Sequence, residues 1–330
     1  MVLAALAPLA AGAIAPSVAG AASNGLWSVF PTAPAGRQAQ PYVTPDLTPG
    51  TQSGGSVTID NYTGEPLSVD LYAADAFNTA GGGLSLRRQI DPQVGIGRWL
   101  HLDESHVVVP ARGAVEVGYV IDTPDNAAPG DHVGGIVAEE TTGTPAKAGA
   151  VPITVLEAVG VRVYARVRGP LHPRLSLAHL SVEIPRPLSS QFGGQVTARV
   201  RLSLRDVGNT VVTPTVRVSM TNPLGRTGSK VRVALPELLP GSSLTPTLLV
   251  PGVAPLVHLR TSVSVVAAGA RAGVTRQSWA VPWGLVALAA LFVLLVVLAL
   301  VVFRRRRRRR RRLVPASGQQ ADSVEPPAVR

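Results

Sequence analysis

Gln195-Val-Thr-Ala-Arg-Val-Arg-Leu-Ser-Leu204 alternates apolar and polar side chains over its whole length. Successive side chains of an extended chain point to opposite faces, so Val196, Ala198, Val200, Leu202 and Leu204 share one side, and Arg199 and Arg201 the other. Such a strand has one buried and one wet face, the pattern of an antiparallel sheet. The next residues, Asp206-Val-Gly-Asn-Thr210, supply the Gly and Asn that a hairpin turn with positive φ requires. Further strands are expected at Val211–Met220, Lys230–Leu235, Ser243–Val250 and Arg260–Ala267, with Pro214 at an edge or a bulge.

The same period-2 pattern lies upstream, in Ser56–Asp60, Leu67–Tyr72, Ala114–Ile121 and Val161–Val167. Turn signals separate these runs at Asp60-Asn61, Thr63-Gly64, Ala80–Gly83, Pro110–Gly113, Pro124-Asp125 and Pro129-Gly130-Asp131. Prolines at 170 and 173 break the alternation, which divides the strands into two series. Short strands with regular turns predict an all-β architecture of two β-sandwich domains, residues 23–168 and 169–282.

After Trp283 comes GLVALAALFVLLVVLALVVF, 20 residues without charge or proline. At the helical rise they span about 30 Å, a hydrocarbon core, which predicts a single transmembrane helix over 283–303. Arg304, Arg305, Arg306, Arg307, Arg308, Arg309, Arg310, Arg311 and Arg312 follow without a spacer. Each would cost about 2.5 to 3.5 kcal/mol at the bilayer centre, so translocation stops there and residues 304–330 form a basic, disordered cytoplasmic tail. Trp279 and Trp283 flank the other end, where an indole suits the headgroup boundary. Residues 1–22 read as a signal peptide, apolar and ending in Ala19-Gly20-Ala21, although the basic start of such a segment is missing. These features predict a single-pass cell-membrane protein with its N-terminus outside.

Charge and composition bound the partners. The formal charge of +11 falls to +2 without the nine arginines, so the rest of the chain is nearly neutral. Because the basic residues are concentrated beside the membrane segment, the arginine block points to anionic lipid headgroups and not to nucleic acid. With no cysteine, the exported part holds together without disulfides, thiol chemistry or Cys-ligated metal. Only Lys147 and Lys230 among the 31 basic residues are lysine, a bias that fits a GC-rich genome.

Trp27-Ser-Val-Phe30-Pro31, Val57–Thr63 with Leu67–Leu71, Val107–Ala111 and Pro129–Ile136 together resemble the N-terminal domain of the WxL-interacting surface proteins, the DUF916 type, over residues 26–168. That resemblance implies that both β-sandwich domains are immunoglobulin-like, the first binding peptidoglycan and the second host or partner proteins, such as another surface protein, followed by a membrane helix and a basic tail.

No catalytic constellation is legible. Serines lack a G-x-S-x-G setting, no H-E-x-x-H occurs, and the six histidines are scattered, so no enzyme activity and no cofactor are expected. His101, Asp103, Glu104 and His106 are metal-capable, but their spacing in a loop matches no ligand pattern. Candidate ligand contacts are Asp131 and His132, in the Pro-Gly-Asp-His-Val-Gly-Gly segment, and Trp99, whose approach through Val94-Gly-Ile-Gly-Arg98 reads as an irregular loop suited to stacking on a sugar. Asn61-Tyr-Thr63 is a glycosylation sequon of little weight. Two classes of function remain: an envelope protein that binds peptidoglycan, or an accessory, chaperone-like scaffold that holds another surface protein by strand-edge pairing.

The arginine block and the tryptophan flank predict the topology. Protease added to intact, wall-stripped cells should remove residues 23–282 and spare a C-terminal tag; a protected N-terminal region would refute it.

Overall fold

The computed structural model describes residues 22–33, 40–148, 151–222, 230–254 and 257–311. The proposed signal peptide lies outside them up to residue 21, as does the tail from residue 312. The described chain is mostly strand, ending in one long apolar helix.

Two separate apolar clusters form, each between two sheets. Around the first, one sheet has the order β1 (Ala22–Ser23), β2 (Trp27–Pro31), β4 (Gln52–Asn61), β9 (Ala114–Asp122), β7 (Leu100–Leu102). Facing it are β3 (Asp46–Leu47), β13 (Ala158–Val167), β10 (Gly130–Glu140), β5 (Leu67–Asn78) and β6 (Leu84–Leu86), with β8 (His106–Val109) also on β5. Trp27, Val29, Val57 and Ile59 from one side meet Val69, Ile136, Val161 and Val163 from the other, all buried. A small hairpin, β11 (Thr144–Ala148) with β12 (Val151–Val155), stands apart.

The second cluster lies between β14 (Leu175–Glu183), β15 (Val196–Asp206), β18 (Ser243–Leu244) and β19 (Thr247–Val253) on one side, and β17 (Val231–Ala234), β16 (Thr215–Thr221), β20 (Val257–Ala267) and β21 (Ala270–Ala280) on the other. The alternation in β15 is kept: its burial strictly alternates from Val196 to Val200, and Leu202 and Leu204 are fully buried. Val216, Val218 and Met220 of β16 and Val263 and Val265 of β20 close the cluster from the opposite sheet.

Of the strands that the sequence reading did not place, three show why. β10 was legible only as the turn at Pro129-Gly130-Asp131, yet it runs between β5 and β13 because Gly134 and Gly135 let Ile96 and Leu86 pack over its backbone. β14 is interrupted by a bulge between Ala178 and Ser181, which shifts its period. β21 alternates weakly and is identified by its full-length pairing with β20.

Other expectations are corrected. Val94–Arg98 is irregular only as far as Gly95; from Ile96 it forms a short helix, α1 (Ile96–Trp99), one of two short helices with α2 (Leu188–Gln191). Asn61 of the sequon is only 1% exposed, and its amide donates to the carbonyls of Glu65, Val109 and Pro110, so it ties two loops together. The terminal helix α3 spans Trp283–Arg311, well past the expected end at Phe303. Arginine is a good helix former, nothing in the run breaks the backbone pattern, and cations suit a helix C-terminus, so the tail's first eight residues are helical and not disordered.

Removing part of a fully buried strand face should be costly. Leu202→Ala is expected to lose about 2–5 kcal/mol in denaturant unfolding, and the exposed Arg201→Ala within about 0.5 kcal/mol of zero.

Candidate functional site at the joint between the sheet pairs

Two segments that the sequence marked separately as turns meet here. Pro129-Gly130-Asp131 opens β10, and Asp206–Thr210 follows β15. Asp131 N–H donates to the Asn209 carbonyl at 2.8 Å, and Val211 N–H donates to Asp131 Oδ2 at 2.8 Å. Arg166, beside Asp131 across β13, donates to the other carboxylate oxygen at 2.7 Å. Asn209 in turn donates to the carbonyls of Pro129 (2.8 Å) and Pro170 (3.0 Å) and accepts from His172 N–H at 2.6 Å. Every polar atom of that amide is spent on the joint. Gly130 has φ +125°, and a Cβ there would stand 2.1 Å from the Asn209 carbonyl, so only glycine fits.

A second contact lies alongside. Asn78 at the end of β5 donates to the Glu237 carbonyl at 2.8 Å and accepts from Leu239 N–H at 2.9 Å, pairing like a short strand. Tyr164 hydroxyl donates to Glu237 Oε1 at 2.7 Å, with Arg162 also facing that carboxylate at 3.4 Å. Burial, and then the Glu237 carboxylate, push the Tyr164 phenol up to about 12, so it remains a donor at any physiological pH.

Beneath the joint lies Asp206, fully buried. Its Oδ1 accepts from Gly208 N–H at 2.8 Å, while its Oδ2 has no hydrogen-bond partner among the described residues. Burial raises its carboxyl above the usual value of 3.8; Gly208 N–H works against that shift, and the charge of Asp131 adds to it.

The residues singled out from sequence now have places. Asp131 is consumed by the joint. His132 bonds the Ala128 carbonyl through Nε2 at 2.9 Å, and its ring lies 4.6 Å from that of Trp99. Trp99 is 8% exposed within the first cluster, so the open stacking face suggested by its loop is lost to packing. The glycines before it serve Asp75, whose carboxylate accepts from the N–H groups of Val94 (2.5 Å), Gly95 (3.0 Å) and Gly97 (2.8 Å). A cleft of about 340 Å³ remains at the joint, lined by Asp75, Arg87, Ile96, His132, Asn209 and Leu239 among others. His106 instead faces Asp70 at 2.7 Å and Ser68 at 3.2 Å, and no group of three His, Asp or Glu able to hold a metal occurs among the described residues. Near α3, Trp279 and Trp283 are exposed, Trp279 edge-on to His258 at 5.3 Å, and the helix is long and apolar enough to cross a membrane. Asn78, Asn209 and Glu237 were missed. Only the turn chemistry around Asn209 was legible, and it carries no sign of the partner across the joint.

Comparison with known proteins finds no matching family model and no matching curated protein. Solved structures with some likeness are a chaperone–tip adhesin complex of CFA/I fimbriae (12% identity, 76% of this chain and 98% of that one, TM-score 0.34) and the class 5 fimbrial chaperone CfaA (11%, 72% and 96%, 0.33). The CupB2 chaperone of Pseudomonas aeruginosa is similar at 11% identity, 71% and 96% coverage and TM-score 0.31. At these values they carry no inference about this chain's activity. The resemblance to WxL-interacting surface proteins is overturned: no family model and no curated protein matches to stand behind it. Peptidoglycan binding, which rested on that resemblance, is left without support.

The raised Asp206 carboxyl fixes a pH dependence. The folded state holds this proton more tightly than the unfolded chain, so its contribution is present below the usual carboxylate value and is lost as pH rises through the raised one. Asp206→Asn keeps an acceptor for Gly208 and removes the titration. Subtracting variant from wild-type thermal midpoints across about pH 3 to 7 should leave a wild-type stability that falls as pH rises; a difference that is flat or rises with pH would contradict this.

Proposed function

We propose that this chain is a membrane-tethered, non-enzymatic scaffold of two immunoglobulin-like domains, residues 23–168 and 169–282, that holds another surface protein by strand-edge pairing. In this reading α3 is the single-pass anchor, with the sheets outside and the arginines against the inner leaflet. The joint sets the two domains at a fixed mutual position and takes no part in chemistry.

What supports the reading most is the edge strand β17. It pairs only with β16, and no strand among the described residues covers its outer side. Leu235 N–H donates to the Pro214 carbonyl, so the alternation of an antiparallel ladder sends the N–H and C=O groups of Arg232 and Ala234 outward, free to accept a further strand. Its inward residues, Val231 and Val233, are only half-buried, whereas their counterparts Val216 and Val218 on β16 are fully covered. An added strand would complete that coverage. The edge of β13 is less open, because Val43 to Leu47 bond its residues 162–168.

Ala234→Pro tests the pairing, because it deletes one outward donor and leaves the ladder to β16 intact. Full-length protein isolated from its own membranes with gentle detergent should bring down a defined surface protein, and the proline variant should lose it without a change in thermal midpoint. Identical partners for both proteins would refute pairing at this edge.

A further inference from the structure

The near-neutral charge left after the arginine block is subtracted conceals an asymmetry. Residues 23–168 carry nine basic and fifteen acidic side chains, a net −6, whereas residues 169–282 carry twelve basic and three acidic, a net +9. The three acids of the second half are Glu183, Asp206 and Glu237. None of them is on the sheet formed by β16, β17, β20 and β21.

The register of that sheet sorts its side chains. Val216, Val218, Val263, Val265 and Ala272 face the cluster, so Arg217, Ser264 and Gly273 lie in one row on the outer face, and Ser219, Ser262 and Thr275 in the next. Arg232 stands opposite Arg217. Arg260 and Arg271 share this face by the same alternation, and both are exposed. No ion pair holds these arginines or Lys230 among the described residues. The other sheet differs, since its Arg199 faces Glu183 at 3.7 Å.

A cleft of about 530 Å³ runs over this face, with Arg217, Arg232, Lys230, Ser262, Ser264 and Thr275 around it and Gly273 in its floor. Glycine in a strand interior costs stability, and here the fold does not ask for one. Gly273 has no positive φ, and a Cβ on it would meet only the Val263 carbonyl, at an ordinary contact distance of 3.5 Å. A bare floor lets a ligand backbone approach closely.

We infer that this face is a binding groove for an extended anionic polymer, of the phosphodiester type, laid across the sheet with its charges between Arg217, Arg232 and Lys230 and its backbone over Gly273. Unpaired cations attract the charges, the hydroxyls of Ser262, Ser264 and Thr275 offer neutral donors, and no carboxylate repels. The groove is on the sheet's face and meets the proposed protein-binding edge at Arg232, whose side chain serves the groove and whose peptide groups serve the edge.

The test uses the full chain in nanodiscs of phosphatidylcholine, with fluorescent poly(glycerol phosphate) as probe. The wild type should bind tighter at about 50 mM than at about 200 mM salt. Arg217→Gln with Arg232→Gln should weaken binding about tenfold or more, and Gly273→Val, which alters no charge, should weaken it comparably while leaving the thermal midpoint unchanged or raised. Because the arginine block is the same in all three proteins, differences between them report the sheet. Ser262→Tyr fills the same floor from the neighbouring strand and replaces Gly273→Val should that variant fold poorly. Equal affinities would overturn the proposal, as would a loss confined to the arginine variant, which would signal diffuse attraction without a groove. It is equally overturned if the same arginines serve instead to bind phosphatidylglycerol vesicles added in trans, or to hold a salt-sensitive dimer through the acidic half of a second copy.

Discussion

The arrangement of the molecule depends on one hydrogen-bonded contact, that of Gly130 and Asp131 with Asn209 and Val211. The peptide groups that meet there are half-buried or exposed, so each hydrogen bond contributes modestly, about 0.5–1.5 kcal/mol, and it is the set made at one place that holds the two sheets together. The Asn209 amide answers carbonyls from Pro129 and Pro170, and Asp131 answers Val211 while keeping Arg166 as counter-ion. The absence of a side chain at position 130 is what permits the approach. Glu237, Tyr164 and Asn78 add a second point of attachment, which prevents pivoting about the first.

Buried Asp206 shows what this closeness costs. A carboxylate with one unanswered oxygen, near the charge of Asp131, is an unfavourable element in a joint made of favourable ones. It remains bonded to Gly208, and Gly208 is itself hemmed in by His172 and Arg174, where a Cβ would come within 2.4 Å of a carbonyl. The turn therefore keeps its shape through Asp206 even as that residue weakens the fold above its titration range.

Legibility in the sequence followed the range of the interaction. Local alternation in Val196–Leu204 and in Val57–Ile59 was enough to place strands and their buried faces, because period and burial are set residue by residue. The apolar run after Trp283 was equally plain. β14 and β21 escaped because a bulge disturbs the first and partner pairing defines the second, and pairing is a property of two segments at once. The site was legible least. Pro129-Gly-Asp-His and Asp206-Val-Gly-Asn were each identified as turns, but nothing in either run indicates that each supplies the other's hydrogen bonds across some eighty positions. Trp99 looked exposed because glycines flank it, when those glycines answer Asp75 on a neighbouring strand. The apparent neutrality of the chain outside the arginine block misled for a related reason: a sum over the chain erases opposite charges that the fold keeps on separate surfaces.

The continuation of α3 into the arginines has a consequence for how an anchored molecule would be presented. Successive residues of a helix turn about 100° around its axis, so the four from Arg304 to Arg307 already encircle it. A ring of charge has no preferred azimuth. In a membrane, such a collar would fix how deep the helix sits in the leaflet, and it would do so equally for every rotation of the helix about its own axis. Height would be set, and heading would be free, so that whatever the sheets carry could swivel to meet neighbours on any side of the molecule.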